Sequence, residues 1–155
     1  MIKIARDLMT RDVILVNENM LVHSLIDLLL EKKISSAPVV NDENKLIGIV
    51  TKTDILGSFL DLDLDLTVKF GLKDILDYSQ EHSDLKISAE KEKKVKDIMT
   101  PDPITVSEDT PAEKLAEIMI DNNIHRLIVT KGSAITGIVS TLDLIYYVAG
   151  KNKYE

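Results

Sequence analysis

The sequence contains no cysteine and no tryptophan, and only 4% of its residues are aromatic. The missing thiols exclude disulfide scaffolds, thiolate metal sites and cysteine nucleophiles together, and they fit a reducing compartment. With so few rings the core has to be built from Ile, Leu and Val, within an apolar fraction of 45%. Basic charge is also short: 19 Lys and Arg stand against 26 Asp and Glu, a net charge of −7. A general nucleic-acid binder needs a basic face to neutralise phosphates, so nucleic acid is not an expected partner. A local pocket for one small anion stays open. Long apolar runs are missing as well. The stretch Ile26 to Leu30 is broken by Asp27 and falls far short of a membrane span. Met1 to Asp7 carries charges where a signal peptide needs its apolar segment. The expectation is a cytoplasmic chain with no membrane partner.

Catalytic motifs are absent too. No Walker loop, Gly-x-Gly-x-x-Gly or Gly-x-Ser-x-Gly occurs, and no His-Glu-x-x-His. His23, His82 and His125 are too scattered to mark a metal site. Asp61-x-Asp63-x-Asp65 begins like a calcium loop, but Leu66 replaces the required Gly and Leu72 the required Glu. Alternating Asp and Leu reads instead as an amphipathic edge. With no nucleophile–base pair and no metal cage, neither a catalytic residue nor a catalytic cofactor is expected.

What the sequence does contain is a duplication. Asp7-Leu8-Met9-Thr10-Arg11-Asp12 recurs as Asp97-Ile98-Met99-Thr100-Pro101-Asp102, 90 residues on. Gly48-Ile49-Val50-Thr51-Lys52-Thr53-Asp54 recurs as Gly137 to Asp143, now at a shift of 89. Aligning 5–40 with 95–130 and 46–56 with 135–145 gives 14 identities in 47 pairs. Each copy reads as β-α-β-β-α. In the first, a strand from Val13 to Val16 leads through Asn17-Glu18-Asn19 to a helix with Leu21, Leu25, Leu28 and Leu29 at helical spacing. Ala37 to Val40 and Leu46 to Val50 form a hairpin around Asn41 to Asn44, and a helix from Thr53 to Leu60 closes the unit. The second copy follows suit. It has strands at Ile104 to Val106, Leu127 to Thr130 and Ile135 to Val139, a helix running to Asn122, and a last helix to Ala149. Pro111 falls where a first-turn proline is tolerated.

A copy of about 60 residues is marginal alone. The two are therefore expected to pack about a pseudo-twofold axis, leaving two related clefts between them. The fold class is α+β. The domain division is 1–60 as repeat 1, 61–94 as connection and 95–155 as repeat 2. The apolar first half of the connection, through Val68 to Leu76, packs or forms a short helix, and its charged second half is a linker.

The pattern Gly-apolar-apolar-Thr/Ser-x-x-Asp carries the chemistry. It describes a buried strand ending in a hydroxyl, then the first turn of a helix. Free N–H groups and a hydroxyl at that point favour a phosphate. A carboxylate three residues on can hold a ribose diol, as acidic residues do in dinucleotide folds. The same residues also satisfy a plainer reading, in which Thr51 or Ser140 caps the helix and the Asp complements its dipole.

Taken together, the Asp-apolar-Met-Thr openings, Ser36-Ala37-Pro38-Val39-Val40 and the two Gly-h-h-Thr/Ser-x-x-Asp endings resemble a tandem pair of CBS (cystathionine β-synthase) domains, a Bateman module. The resemblance covers about 1–60 and 95–150. It implies a regulatory ligand-binding module for an adenosine compound (AMP, ADP, ATP, S-adenosylmethionine or methylthioadenosine), often paired with a second module into a homodimer through its helices. Carried over, the ribose-holding acids are Asp54 and Asp143, and the phosphate-facing hydroxyls are Thr51 and Ser140. Family clefts take their acid from one repeat and their base-facing wall from the other. One cleft then joins Asp54, Thr51 and Lys52 with Ile104, Thr105, Ile124, His125, Arg126 and Leu127. The other joins Asp143, Ser140 and Thr141 with Val13, Ile14, Ile34, Ser35, Ser36 and Ala37. Asn122 to Arg126 also resembles the segment that approaches phosphates in nucleotide-binding members of the family.

The guanidinium of Arg126 suits phosphate oxygens, with His125 and Lys52 expected beside it. Its plainer alternative is a surface arginine paired with an acid. The second cleft, offering only hydroxyls, is expected to suit a less charged adenosine compound or to stay empty. The sequence departs from the family where Ile128-Val129 follows His125-Arg126, since Pro-Val is usual there. An adenine-nucleotide sensor acting on a separate regulated protein is the leading expectation. A sensor of S-adenosylmethionine or methylthioadenosine, and a ligand-free dimerisation module, are its rivals.

Overall fold

The computed structural model describes residues 2–59, 93–151 and 153. Leu60, the expected Asp–Leu edge, His82 and the connection as far as Glu92 lie outside the described residues. The chain forms two compact units. Leu15–Asp102 is the Asp54 unit, and Met1–Ile14 with Pro103–Glu155 is the Asp143 unit.

In the Asp54 unit a four-stranded sheet runs β1 (Val16–Asn17), β2 (Ser36–Val40), β3 (Leu46–Thr51), β4 (Thr100–Pro101), with only β1–β2 parallel. The strand expected from Val13 begins at Val16, because the Val13 amide is held in a turn by the Arg11 carbonyl at 2.9 Å. Asn17 then turns the chain by accepting the Asn19 amide at 2.8 Å, and α2 (Val22–Lys32) follows. The apolar side of α2, Val22, Leu25, Ile26 and Leu29, recurs every three to four residues and is buried. It packs with Val16, Ala37, Val39, Val50, Ile55 and Val95 as one core. In the β2–β3 turn Asn41 Oδ1 accepts the Glu43 and Lys45 amides, both at 3.0 Å. Helix α3 (Lys52–Phe59) leaves directly from β3, and a short α4 (Val95–Ile98) precedes β4.

The Asp143 unit repeats the plan. A short α1 (Ala5–Leu8) opens the chain, and β5 (Thr105–Ser107), β6 (Arg126–Lys131) and β7 (Ala134–Ser140) form a three-stranded sheet. Helices α5 (Ala112–Asp121) and α6 (Thr141–Val148) flank it. Pro111 sits at the N-cap, one place before the first turn, with φ −63° and ψ 150°. The core is Ala5, Met9, Val106, Leu115, Met119, Leu127, Val129 and Val139. Replacing Pro-Val by Ile128-Val129 leaves the strand pairing unchanged. Pro38 pairs with Ile49 and Ile128 with Ile138, and both hairpins break register one residue past the following Val.

The compact units are not the sequence repeats. The Ala5 amide donates to the Thr110 carbonyl at 2.8 Å, and the Val95 amide donates to the Met20 carbonyl at 2.9 Å. Thr10 pairs with Ile138, as Thr100 does with Ile49. The Asp-apolar-Met-Thr opening of each repeat thus completes the other repeat's sheet. Two motifs explain one another here. A Cβ on Gly48 would stand 2.6 Å from Met99 Sδ and 2.9 Å from the Thr100 carbonyl oxygen, and one on Gly137 would stand 2.8 Å from Met9 Cβ. The glycine exists because the methionine of the crossing opening lies across the strand.

Helix α2 ends at Lys33 in the left-handed region, φ 54°, where its repeat counterpart Asn123 has φ 51°. Asn tolerates this conformation, while lysine pays for its Cβ. Lys33→Gly is therefore predicted to raise stability by about 0.5–1 kcal/mol, read as a higher urea midpoint at constant m-value. A lower midpoint would refute the strain argument.

Candidate functional site

The two repeated Asp residues are helix caps first. In the Asp54 unit, Asp54 Oδ2 accepts the Thr51 amide at 2.7 Å and the Thr51 hydroxyl at 2.9 Å, while the Asp54 amide donates to Thr51 Oγ1 at 3.3 Å. In the Asp143 unit, Asp143 Oδ2 accepts the Ser140 amide and hydroxyl, each at 2.7 Å, and the Asp143 amide donates to Ser140 Oγ at 3.4 Å. The plainer reading of the motif is thus realised twice as a capping box. Both hydroxyl protons are committed to the carboxylate. Their effect is to fix each acid in one rotamer, with Oδ2 satisfied and Oδ1 turned elsewhere.

The surroundings of Oδ1 differ between the units. Asp54 Oδ1 has the Thr100 hydroxyl at 3.4 Å, a long and weak contact, and Asp54 is only part-buried. Asp143 is 4% exposed, and its Oδ1 takes no hydrogen bond of proper geometry among the described residues. Facing it instead, at 2.5 Å, is the Lys153 ammonium, which also donates to the Thr10 hydroxyl at 2.7 Å. The ion pair and the missing hydrogen bond are compatible, since close approach of the charges does not require an aligned N–H. Thr10 and Thr100 occupy the same place in the repeated opening; Thr100 contacts Asp54 directly, and Thr10 is linked to Asp143 through Lys153. Sequence reasoning missed both, although the repeated Met-Thr was the available signal. Nothing in the repeat pointed to Lys153, which lies past residue 150, where the family match ends.

The other expected residues distribute as follows. Lys52 is exposed at the start of α3, its amide donating to the Ser35 carbonyl at 3.1 Å. In the same unit Ile34 and Ser35 are part-buried, Ser36 is buried, and Ala37 has no exposed surface and belongs to the core. In the Asp143 unit, Arg126 lies opposite Ser140 in the β6–β7 pair. Its half-buried guanidinium has its proton affinity lowered by desolvation, an effect opposed by the Asp143 carboxylate. It stays charged. Val13 and Ile14 are part-buried, Ile104 and Thr105 are exposed, and Leu127 is wholly inside the core. Side chains with no exposure face no ligand, so Ala37 and Leu127 can offer only their main chain. Ile124, His125 and Thr141 line a groove of about 640 Å³ between α5 and α6, with Met119, Ile120, Leu144, Ile145 and Val148. The Thr141 hydroxyl there donates to the His125 carbonyl at 3.3 Å. His125 and Thr141 thus share an apolar helical face, whereas Arg126 and Ser140 accompany Asp143. No group of three or more potential metal-ligating side chains occurs among the described residues. No described helix is long and apolar enough to cross a membrane.

Comparison with known proteins follows the same division. The family model for the CBS domain matches residues 5–61 and 95–150. The uncharacterised protein MJ1426 of Methanocaldococcus jannaschii is 33% identical over 154 residues, spanning 93% of this chain and 90% of its own. Other curated relatives are longer, and two that are named as enzymes are spanned over only 23% and 22% of their length. Among solved structures, CBSX2 of Arabidopsis thaliana in complex with AMP is 25% identical with a TM-score of 0.69, covering 96% of this chain and 97% of that one. The CBS domain pair of protein MJ0100, in complex with 5′-methylthioadenosine and S-adenosyl-L-methionine, has a TM-score of 0.72 across 98% of this chain and 100% of that one. At 24% identity it speaks for the fold alone. One model matches both halves of the duplication, and a relative one third identical runs nearly end to end. The chain belongs to the CBS domain family, and it carries two copies of that domain.

Proposed function

We propose that the protein is a regulatory, non-catalytic module that binds an adenine nucleotide through Asp54 and Asp143. The supporting observation is the rigid presentation of each carboxylate. Oδ2 is held by a backbone amide and a hydroxyl, which leaves the second oxygen of Asp54 with one long contact among the described residues. A ribose diol donating to that oxygen gains charge-assisted hydrogen bonds without first having to order the acid. Lys52 and Arg126 supply positive charge for phosphate, and Thr51 and Ser140 act by fixing the acids. The base is received by apolar and small residues from Val13, Ile14, Ile34, Ser35, Ser36, Ile104, Thr105 and Ile124, with main chain from Ala37 and Leu127. The AMP complex of CBSX2 supports the ligand class. The module would act in the cytoplasm, where adenine nucleotides signal energy state, and pass its state to a separate regulated protein.

The exposed side of α5 and α6 supports a second part of the proposal. Ile120 is 77% and Val148 84% exposed, and both edge the apolar groove that contains His125 and Thr141. Such a face favours burial against a second copy, so a homodimer paired through these helices is proposed.

A thermal-shift series with AMP, ADP and ATP tests the reading. Ligand at 100 times its dissociation constant adds about 2.7 kcal/mol to stability, enough to move the melting temperature by several degrees. No shift with any adenosine compound would leave a ligand-free dimerisation module as the function. The rival reading is a sensor of 5′-methylthioadenosine or S-adenosylmethionine, whose 5′ groups carry no phosphate. Arg126→Ala separates the two. It is predicted to weaken AMP about tenfold, the value of one charge-assisted bond, and to leave methylthioadenosine nearly unaffected. Equal losses would count against a phosphate role for Arg126.

A further inference from the structure

We propose that Lys153 makes the Asp143 site selective for adenosine ligands carrying an anionic 5′ group, by occupying the oxygen the ribose needs. This rests on the adenosine reading above and names the ligand class for one of its acids. The site is built within a single unit. Asp143 Oδ2 is saturated by the Ser140 amide and hydroxyl, so a diol has to use Oδ1. The Lys153 ammonium already stands there at 2.5 Å, anchored by its 2.7 Å bond to Thr10. The arrangement is specific to this unit, since Asp54 has a hydroxyl and no described ammonium in the same position.

Entry of a ribose therefore displaces a cation from a carboxylate that is 4% exposed. A neutral nucleoside gives that cation nothing in return, and the lost ion pair subtracts from affinity. A 5′-phosphate gives it a new anion, in a site where Arg126 is also coupled to Asp143. The flexible four-carbon stem lets the ammonium move from the carboxylate to a phosphate without leaving the site. Lys153 thus penalises neutral ligands and rewards anionic ones. On this proposal the Asp143 site takes anionic compounds, where the sequence reading, made without Lys153, expects a less charged compound or none.

AMP and 5′-methylthioadenosine share the nucleoside and differ at the 5′ position, so they are the probes. Both are titrated calorimetrically into the full-length Asp54→Ala protein, which isolates Asp143, and into the same protein carrying Lys153→Met or Lys153→Gln. Gln can still donate to Asp143, which guards against unfolding from a buried unpaired carboxylate. The expected result is that the parent prefers AMP by about tenfold or more. Both Lys153 replacements should abolish that preference, as AMP weakens and methylthioadenosine tightens. An unchanged ratio overturns the role of Lys153 while leaving the acids as ribose holders. Binding to the wild type but to no Asp54→Ala protein overturns it too, by showing the Asp143 site to be unused. Absence of binding even in the wild type overturns the adenosine reading itself.

Discussion

Replacing Asp54 and Asp143 together by Asn is expected to weaken AMP binding about 100-fold, measured by calorimetry on protein shown to be folded by circular dichroism. The number follows from what the carboxylates provide. A hydrogen bond to a charged acceptor contributes about 1.5–3 kcal/mol, and a diol makes up to two per site. Loss of charge with retention of one acceptor oxygen removes about 2.7 kcal/mol of this, a factor of 100. Asn is chosen because its carbonyl can still accept the Thr51 or Ser140 amide, so the helix starts survive. Complete removal of the cap would cost stability as well, about 1 kcal/mol for each helix, and would confuse the two effects. Full affinity in the double variant would mean that the acids are caps and nothing more.

The second large effect is on folding. Gly137→Ala is expected to destabilise the protein by about 2–3 kcal/mol, at the upper end of what overpacking costs. The added methyl meets the Cγ and Cβ of Met9 at 2.6 and 2.8 Å, so the methionine cannot avoid it by turning its terminal methyl aside. Met9 is itself 5% exposed and part of the core, so Met9→Ala alone leaves a cavity and costs about 2 kcal/mol or more. Combining the two removes the Sδ and Cγ contacts and leaves only the 2.8 Å approach to the Cβ that alanine keeps, so the rescue is partial. The double variant should therefore be more stable than the sum of its parents predicts by about 1–2 kcal/mol, which urea denaturation can resolve. Strict additivity would show that the crossing opening does not press on the strand.

Much of this architecture was written in periodicity. The helix α2 stripe, the Asn-rich turn at Asn41 to Asn44 and the two hairpins follow from local rules, and the structure agrees with them to within a few residues. Strand starts were less legible. Val13 to Leu15 are apolar, yet the Val13 amide is held in a turn and the chain joins the sheet only at Val16. The exchange of openings between repeats was hidden for a different reason. Identity between Asp7–Thr10 and Asp97–Thr100 shows that both segments do the same job, but not in which unit each does it.

The site was half legible. Spacing of Thr or Ser to Asp announces a capping box, and the cap is what fixes the acid. Its chemical difference between units depends on Thr100, 46 positions from Asp54, and on Lys153 and Thr10, 10 and 133 positions from Asp143, and no periodic signal links them. Arg126 and His125 adjoin in sequence but have different surroundings, because Arg126 is the first residue of β6 while His125 still belongs to the bend that leads out of α5. One accompanies Asp143 and the other the helical groove.

The central claim is that a carboxylate held by its own helix cap receives the sugar of an adenosine ligand. A crystal structure of the full chain grown with AMP tests it most directly. The account predicts ribose 2′ and 3′ oxygens within about 3 Å of Oδ1 of Asp54 or Asp143, with Thr51 or Ser140 still bonded to Oδ2. AMP bound with its ribose turned away from both acids, or no AMP at saturating concentration, would contradict it.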